Sequence, residues 1–403
     1  MLCCTVMSTI RVVHAADLHI DAASRLGSTN PATGINTAWE NTHRCWLAAC
    51  EHAADIAADA FVFAGDAFLN GRPGPEAVEM VADGFRLLSA AGVPAVVFRG
   101  NHELIRKPRG HRHALTRLAD IPGVTVVDDP DVVTLDSGLQ IVVVPWPSVA
   151  VAAADLDLAD VSPDDIDAAV AAAVVDRVDE LAETVDPDRG PVMFAGHLTV
   201  SEARIGSAHR GSEQYVHAVF AEPVIPLDVL DDGPWGYAAL GHIHRRQSFG
   251  RAAHYSGGMD RLDFSEVDEP KGVNVVTFTD DPSGGGGVNV DLFATPARPL
   301  VVIDAAAAVG DLPDGAICRV DLAEGETIVP PEVSEAVAAV NGRVAAVRAA
   351  PVAAARSSQR AAVAEDVTVL DGLRAWMDVA EVPADDRPDL EAAAQKLTEH
   401  TAA

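Results

Sequence analysis

Pro94-Ala95-Val96-Val97-Phe98-Arg99-Gly100-Asn101-His102-Glu103 is the stretch that decides how the rest is read. Pro94 to Phe98 is an apolar run of strand length, which predicts a buried strand. It gives way to a glycine, an amide, an imidazole and a carboxylate. Gly100 predicts a sharp backbone turn at a point where a side chain would clash. Asn101 and His102 then sit at the carboxyl end of the strand, where open α/β sheets bind ligands.

The same arrangement recurs at four other places. Arg11 to Ala16 runs into Asp17-Leu18-His19, and Phe61 to Gly65 runs into Asp66. Pro191 to Ala195 runs into Gly196-His197, and Tyr237 to Leu240 into Gly241-His242-Ile243-His244. Asp-x-His and His-x-His spacing puts alternate side chains on one face of an extended segment. A single histidine at a strand end is an ordinary hydrogen-bonding residue. Five strand ends that all carry ligand types point to a metal centre. Carboxylate, amide and imidazole donors suit Mn²⁺, Fe²⁺ or Zn²⁺, not a thiolate zinc site.

These are too many donors for one ion, so the expectation is two ions roughly 3.5–4 Å apart. Asp66 bridges them; Asp17, His19 and His244 complete one, and Asn101, His197 and His242 the other. His102 is left as a general acid or transition-state donor, with Glu103 as its orienting residue. Two ions activate a water and clamp phosphoryl oxygens, which predicts in-line phosphoester hydrolysis without a covalent intermediate. His14, His43, His52, His111, His113, His209, His217 and His254 are read as core, surface or substrate-contacting residues, not ligands.

Outward from the motifs, Thr37 and Glu40 read as a capping box ahead of a helix marked by Trp39, His43, Trp46 and Cys50. Val78, Val81, Phe85 and Leu88 mark a second helix. The resulting β-α-β-α-β order predicts a parallel sheet layer. Shorter strands follow over Ile121 to Pro145, then a helix over Ile166 to Leu181 and two late strands around Val273 to Phe278 and Val288 to Phe293. Beyond Ala297 the texture becomes that of a small α/β unit, with strands at Val301 to Ile303 and Ile317 to Val320 and a helix near Glu332 to Val340. Ala353 to Ala364 reads as a linker. Two amphipathic helices close the chain, one with Val369, Leu373 and Trp376, the other with Leu390, Ala394 and Leu397; they suit docking to a partner.

The 403 residues include 60 acidic against 29 basic side chains, a net charge of −31. Such acidity argues against nucleic-acid binding through a general basic face, but not at a metal-bearing cleft, where bound ions reverse the local field. Together with the scarcity of lysine it suggests a high-salt cytoplasm; a GC-rich genome is the bland alternative. Five cysteines without zinc spacing read as reduced thiols of a cytosolic protein. The first residues lack a basic leader region, and Met7 is a second candidate start. No apolar run is long enough to predict a membrane span.

At the five strand ends the chain resembles the calcineurin-like metallophosphoesterases, whose segments D-x-H, G-D, G-N-H-D/E, G-H and G-H-x-H appear here in order over residues 10–245. The resemblance implies an α/β (α+β) fold, a four-layer αββα sandwich with a small C-terminal capping domain and terminal helices. The expected division is 8–295 for the phosphoesterase domain, 296–352 for the cap, 353–364 for the linker and 365–403 for the docking helices. Asn30 to Asn36, and Tyr255-Ser256-Gly257-Gly258-Met259-Asp260-Arg261-Leu262-Asp263-Phe264 with Glu266, Glu269 and Lys271-Gly272, are similar to segments of SbcD-type nucleases. Leu69-Asn70 stands where many of these carry a histidine, and Gly258 where serine is usual. This narrower resemblance implies a Mn²⁺-dependent nuclease acting on DNA ends and hairpins in double-strand-break repair. It also implies a coiled-coil ABC-type ATPase of the SbcC kind as partner, a homodimer, and no membrane. A phosphatase or phosphodiesterase on small nucleotides is the alternative. A non-catalytic scaffold is a third, although such a protein would be expected to lose ligands and all eight side chains are present.

Overall fold

The computed structural model describes residues 9–103, 113–147, 163–203, 224–279 and 287–349, together with 377, 387, 388, 390 and 391. The chain divides into two compact units, Met1–Ala323 with Thr327–Arg348, and Glu324–Glu326 with Ala349–Ala403.

The first sheet is built on four parallel strands, β1 (Thr9–Ala15), β2 (Ala60–Ala64), β3 (Ala95–Phe98) and β4 (Val124–Val127). The antiparallel pair β13 (Gly272–Thr279) and β14 (Gly287–Ala294) extends it beside β1. The second sheet has β10 (Tyr237–Gly241) and β7 (Val192–His197) at its centre. It continues through β6 (Gln140–Val144) to β5 (Asp131–Thr134) on one side. On the other lie β12 (Ala253–Tyr255) and β11 (Gln247–Phe249). Two short strands, β8 (Thr199–Val200) and β9 (Val224–Ile225), pair separately.

The strand sequences explain the layering. In β2, Phe61 and Phe63 face outward, while Ala60, Val62 and Ala64 face the second sheet. Both faces are buried, so the strand reads as one apolar run instead of an alternating one. Inward residues of both sheets, among them Val12, Val62, Val96, Ile141, Met193 and Ala239, share one core. Outside the first sheet lie α1 (Thr37–Asp55) and α2 (Pro75–Ala90), whose apolar faces close over Phe61 and Phe63. Trp46 is the centre of that layer, with ring centroids 5.5 Å from Phe61, 5.5 Å from Phe63 and 5.1 Å from Phe85. Its indole N–H donates to Val81 O at 3.0 Å, so the ring is buried without an orphaned donor. Outside the second sheet lie α3 (Pro163–Ala182) and α4 (Leu227–Asp231), with Val174, Val178 and Leu230 in a third core beside Phe194 and Trp235. The molecule is thus the four-layer αββα sandwich that the motifs imply.

After β14, three parallel strands, β15 (Leu300–Asp304), β16 (Ile317–Asp321) and β17 (Arg343–Arg348), form a small sheet. It packs under α5 (Pro331–Ala339) with its own core of Cys318, Val320, Val333 and Val337. Arg298 enters this sheet while paired with Asp260 at 2.7 Å, and Arg261 donates to Arg298 O at 2.8 Å. The linker 353–364 and nearly all of the expected docking helices lie outside the described residues; 377, 387, 388, 390 and 391 are helical.

One local expectation is corrected. The N-cap of α1 is Asn36, not Thr37: its side chain accepts from Ala38 N at 2.8 Å. Glu40 instead accepts from Asn30 at 2.9 Å and from Thr33 at 2.6 Å, tying down the 30–36 loop. The late strand read at His254 is β12, whereas β17 and the short strands β8, β9 and β11 go beyond the sequence reading; they are too short or too polar for periodicity to reveal.

Candidate metal centre

The five strand ends meet at one edge of the sandwich. Asp17 and His19 follow β1, Asp66 follows β2, Asn101 and His102 follow β3, His197 ends β7, and His242 and His244 follow β10. The loops after β1 and β2 stay paired past the strands: Asp17 N donates to Gly65 O at 3.1 Å, His19 N to Asp66 O at 3.1 Å and Ile20 N to Ala67 O at 3.0 Å. Asp17, His19, Asp66 and His242 have φ of 52°, 41°, 58° and 98°. Positive φ costs a side-chain-bearing residue about 1 kcal/mol or more, so backbone strain is concentrated at these loop tips.

Gly100 and Gly241 serve close approach instead of a left-handed turn, since neither has φ in the left-handed region. A Cβ on Gly100 would strike the Asp66 carboxylate, and one on Gly241 would strike Ala64 O.

Each aspartate uses one oxygen to hold backbone and points the other inward. Asp17 Oδ1 accepts from His242 N at 2.9 Å, and Asp66 Oδ1 from His102 N at 3.0 Å. Asp66 Oδ2 lies 3.5 Å from His19 Nε2 and 3.4 Å from His197 Nε2, while Asp17 Oδ2 is buried with no hydrogen-bond partner. Asn101 Oδ1 is 2.9 Å from His197 Nε2 and 3.1 Å from His242 Nδ1.

The imidazoles of His19, His197 and His244 are held so that Nε2 faces the centre. His19 donates Nδ1–H to Phe68 O at 3.1 Å, His197 to Ala64 O at 2.7 Å, and His244 to Glu266 Oε1 at 3.3 Å. Burial lowers His19 to about 3, so its ring is neutral. His19 Nε2 and His244 Nε2 face each other at 3.1 Å, a contact that a shared cation, a proton or a metal ion, would bridge. Burial also opposes the charge on His197, but Asp66 and then Asp17 outweigh it and hold this imidazole up at about 9. Burial likewise opposes ionisation of Asp66, and His197 and His102 overcome it, keeping the carboxyl well below its usual range. Burial raises Asp17.

Ligand atoms of Asp17, His19 and His244 lie close enough together to share an ion, as do those of Asp17, Asp66 and His197. The residues present therefore fit divalent cations of borderline softness.

His102 falls in a further such cluster, with His19 and Asp66, and has contacts of its own. Its Nδ1–H donates to Leu69 O at 2.7 Å and its Nε2 is 3.9 Å from Asp66 Oδ2. Its ring meets His19 edge to face at 4.7 Å. The role foreseen for Glu103 is corrected, because its carboxylate does not orient His102. It accepts from three backbone amides, Asp66 N at 3.1 Å, Phe68 N at 3.1 Å and Gly100 N at 2.8 Å. Burial, with Asp66 beside it, pushes Glu103 up to about 7.

Two surrounding groups escaped the motif reading. Glu266 backs His244 from within the 255–272 segment, and Trp146 lies against His242 with ring centroids 4.9 Å apart. The sequence signal for Glu266 is an acidic residue in a short turn capped by Asp263; nothing local marks Trp146. The other described histidines lie elsewhere. His14 meets Tyr237 Oη at 2.8 Å, His254 stacks on Tyr237 at 4.6 Å, His113 meets Asp128 at 2.6 Å, His43 lies 3.4 Å from Asp83, and His52 stacks on Phe293 at 3.9 Å. His111, His209 and His217 lie outside the described residues.

Residues 10–246 match the calcineurin-like phosphoesterase family, and the chain belongs to it; it is a metallophosphoesterase hydrolase of a family that uses divalent metals. It is similar to the SbcD component of the nuclease SbcCD from Escherichia coli K12 and from Escherichia coli O157:H7, each 26% identical over 303 residues that cover 73% of this chain and 70% of the relative. The crystal structure of a dimetal phosphatase from Danio rerio aligns with a TM-score of 0.38 and 13% identity, covering 71% of this chain and 99% of that one. Among the described residues no helix is long and apolar enough to cross a membrane.

Proposed function

We propose that this chain is a DNA nuclease that hydrolyses phosphodiester bonds with two divalent ions, Mn²⁺ being the favoured pair. Asp17, His19 and His244 would hold one, Asn101, His197 and His242 the other, with Asp66 shared. The observation that carries the reading is the His19–His244 contact, where two imidazole nitrogens face each other at 3.1 Å beside Asp66 Oδ2 and within reach of Asp17. The ions would supply an activated water and neutralise the phosphoryl oxygens.

The chain's own residues do the rest. Leu69 O holds His102 Nδ1–H, so that Nε2 faces the centre; as the imidazolium, with a second proton on Nε2 taken from solvent, His102 would pass that proton to the leaving oxygen and return to the neutral ring. Glu103 clamps the amides of Asp66 and Gly100 and so keeps the shared carboxylate in place. The buried walls around His242 and His197, Trp146 among them, limit water behind the site.

The step from phosphoester to DNA is supported by the SbcD relatives, whose likeness over 303 residues is longer than the family's common core. On this reading the protein works in the cytoplasm on DNA ends and hairpins in double-strand-break repair, as a homodimer with a coiled-coil ABC-type ATPase. Residues 296–352 cap the 8–295 domain, and 365–403, beyond the 353–364 linker, dock that partner. Unchanged ATPase co-purification after deletion of 365–403 would remove the docking role. The acidic composition is read as adaptation to a saline cytoplasm, and a melting temperature that molar KCl fails to raise would remove that.

The deciding experiment offers hairpin DNA, linear duplex and bis(p-nitrophenyl) phosphate side by side with Mn²⁺. Cleavage of either DNA is expected. Turnover of the small ester alone, with both DNAs intact, would leave a phosphodiesterase acting on small nucleotides.

A further inference from the structure

We infer that Asp21 is a positioning residue for His102, which it holds in place through the backbone of Leu69. This rests on the acid role proposed for His102 above.

The loops that follow β1 and β2 run side by side. Asp17 N, His19 N and Ile20 N donate in turn to the carbonyls of Gly65, Asp66 and Ala67. The last rung of this ladder is made by a side chain: Asp21 Oδ1 accepts from Leu69 N at 2.7 Å. The carbonyl of the same leucine accepts from His102 Nδ1–H at 2.7 Å. Leu69 is thus gripped at its amide by a carboxylate and grips the imidazole with its oxygen.

The preceding residue shows why a carboxylate is needed here. Phe68 does the same for His19, taking its Nδ1–H on the carbonyl at 3.1 Å. Phe68 is 1% exposed, and its amide donates to Glu103 Oε1 at 3.1 Å, so the core fixes it. Leu69 is 37% exposed, and no helix or strand follows it until α2 begins at Pro75. Among the described residues, the one hydrogen bond within 70–73 runs from Arg72 N to Asn70 Oδ1 at 3.0 Å. The outer end of the loop is therefore held by Asp21 and by His102 itself.

In the step concerned, the oxygen of the attacking water forms a bond to phosphorus and its proton goes to solvent. The bond from phosphorus to the leaving oxygen breaks, and that oxygen takes the Nε2 proton of the His102 imidazolium. The ring ends neutral, with Nδ1–H still on Leu69 O. Without Asp21 the Leu69 carbonyl loses its fixed direction, and the ring is free to turn or to take the other tautomer. A misplacement of about 1 Å at such a group can cost about 10²-fold in rate. The ligands keep their supports, because the backbone rungs hold Asp17 and His19, and Glu103 holds the Asp66 loop.

Two readouts separate this role from a merely structural one. The first is the leaving group. Bis(p-nitrophenyl) phosphate expels a stable anion that needs no proton, whereas thymidylyl-thymidine expels an alkoxide that does. In the Mn²⁺-loaded full-length protein, Asp21→Ala should lower kcat on the dinucleotide by up to about 10²-fold. The nitrophenyl ester should stay within a few-fold of wild type, with KM and bound Mn²⁺ unaltered. Asp21→Asn keeps an acceptor oxygen for Leu69 N and should restore the dinucleotide rate. The second readout is the tautomer of the ring, from nitrogen NMR of the metal-free full-length protein above the ordinary imidazole value of about 6.5. His102 is assigned by its absence from His102→Ala. Wild type and Asp21→Asn should show a single Nδ1–H tautomer, and Asp21→Ala a mixture. This measurement needs no turnover, so it decides the positioning claim whichever ester is hydrolysed. An unaltered tautomer in Asp21→Ala, or equal losses on both esters, overturns the inference and leaves the acid role standing. Equal losses on both esters in His102→Ala overturn the acid role, and the inference with it.

Discussion

The first sheet delivers both carboxylates, the amide and His19 to the site, whereas the second sheet delivers only imidazoles, His197, His242 and His244. The first group is held largely from within its own sheet. The β1 and β2 loops bond to each other through Asp17 N, His19 N and Ile20 N, and Glu103 clamps the Asp66 loop to Gly100. The second group is held largely from outside its own strands. His197 bonds to Ala64 O of β2, the His242 amide to Asp17 Oδ1, and His244 to Glu266 from a separate turn. One half of the site is therefore close to a local property of β1 to β3, while the other exists only once the two sheets have packed.

On the proposed reading, the most direct way to break this comparison is to remove the first-sheet group that both ions would share. Asp66→Ala should bring phosphodiesterase activity to background, far beyond the roughly 10–100-fold cost of losing an outer partner. Elemental analysis of the same variant should show neither ion fully bound. Next in size is His102→Ala, expected to lower kcat by roughly 10²–10⁴-fold while metal content stays at the wild-type level. Loss of both ions in that variant would make His102 part of the binding apparatus of the first sheet instead of a proton donor.

Proton linkage sharpens the comparison further. His197 carries its proton up to about 9 in the ion-free protein, because Asp66 and Asp17 outweigh burial. Ligation must expel that proton. Mn²⁺ affinity in the His197 half should thus rise about tenfold per pH unit below that value and level off above it. His19 is already neutral, lowered by burial to about 3, so His19 gives the Asp17 half no such dependence on pH. Calorimetric titration at two pH values near neutrality, in buffers of different ionisation heat, reads both slopes. The smallest effect belongs to Glu103→Gln. An amide offers one acceptor oxygen where three backbone donors converge, and a loss of about 2 kcal/mol in urea unfolding is expected. Its damage should fall on the first sheet's half, seen as weaker Mn²⁺ binding around Asp66.

How far the site could be read in advance follows the same division. The β1, β2 and β3 ends were legible because an apolar run of strand length stops at a Gly, Asp or Asn, and the chain itself signals where burial ends. His197, His242 and His244 were legible as ligand types for the same reason. The supports were not. Glu103 sits next to His102 in sequence, yet its carboxylate turns to the amides of residues 66, 68 and 100. Glu266 lies 22 residues beyond His244 and Trp146 lies 96 before His242, and no periodicity links such positions. Asn36 displaced Thr37 as the cap of α1 because a helix start shifts by a residue with little local penalty.

Alone, then, the sequence determined the principal buried strands and the kinds of donor at their ends, since hydrophobic period and donor chemistry are properties of neighbouring residues. Tertiary structure decided which nitrogen of each imidazole looks inward, which oxygen of each aspartate is free, and which buried charges stand behind them. Those choices depend on hydrogen bonds between residues as far apart as Asp17 and His242, 225 positions along the chain, and such contacts come into being only when both sheets have closed on a common core.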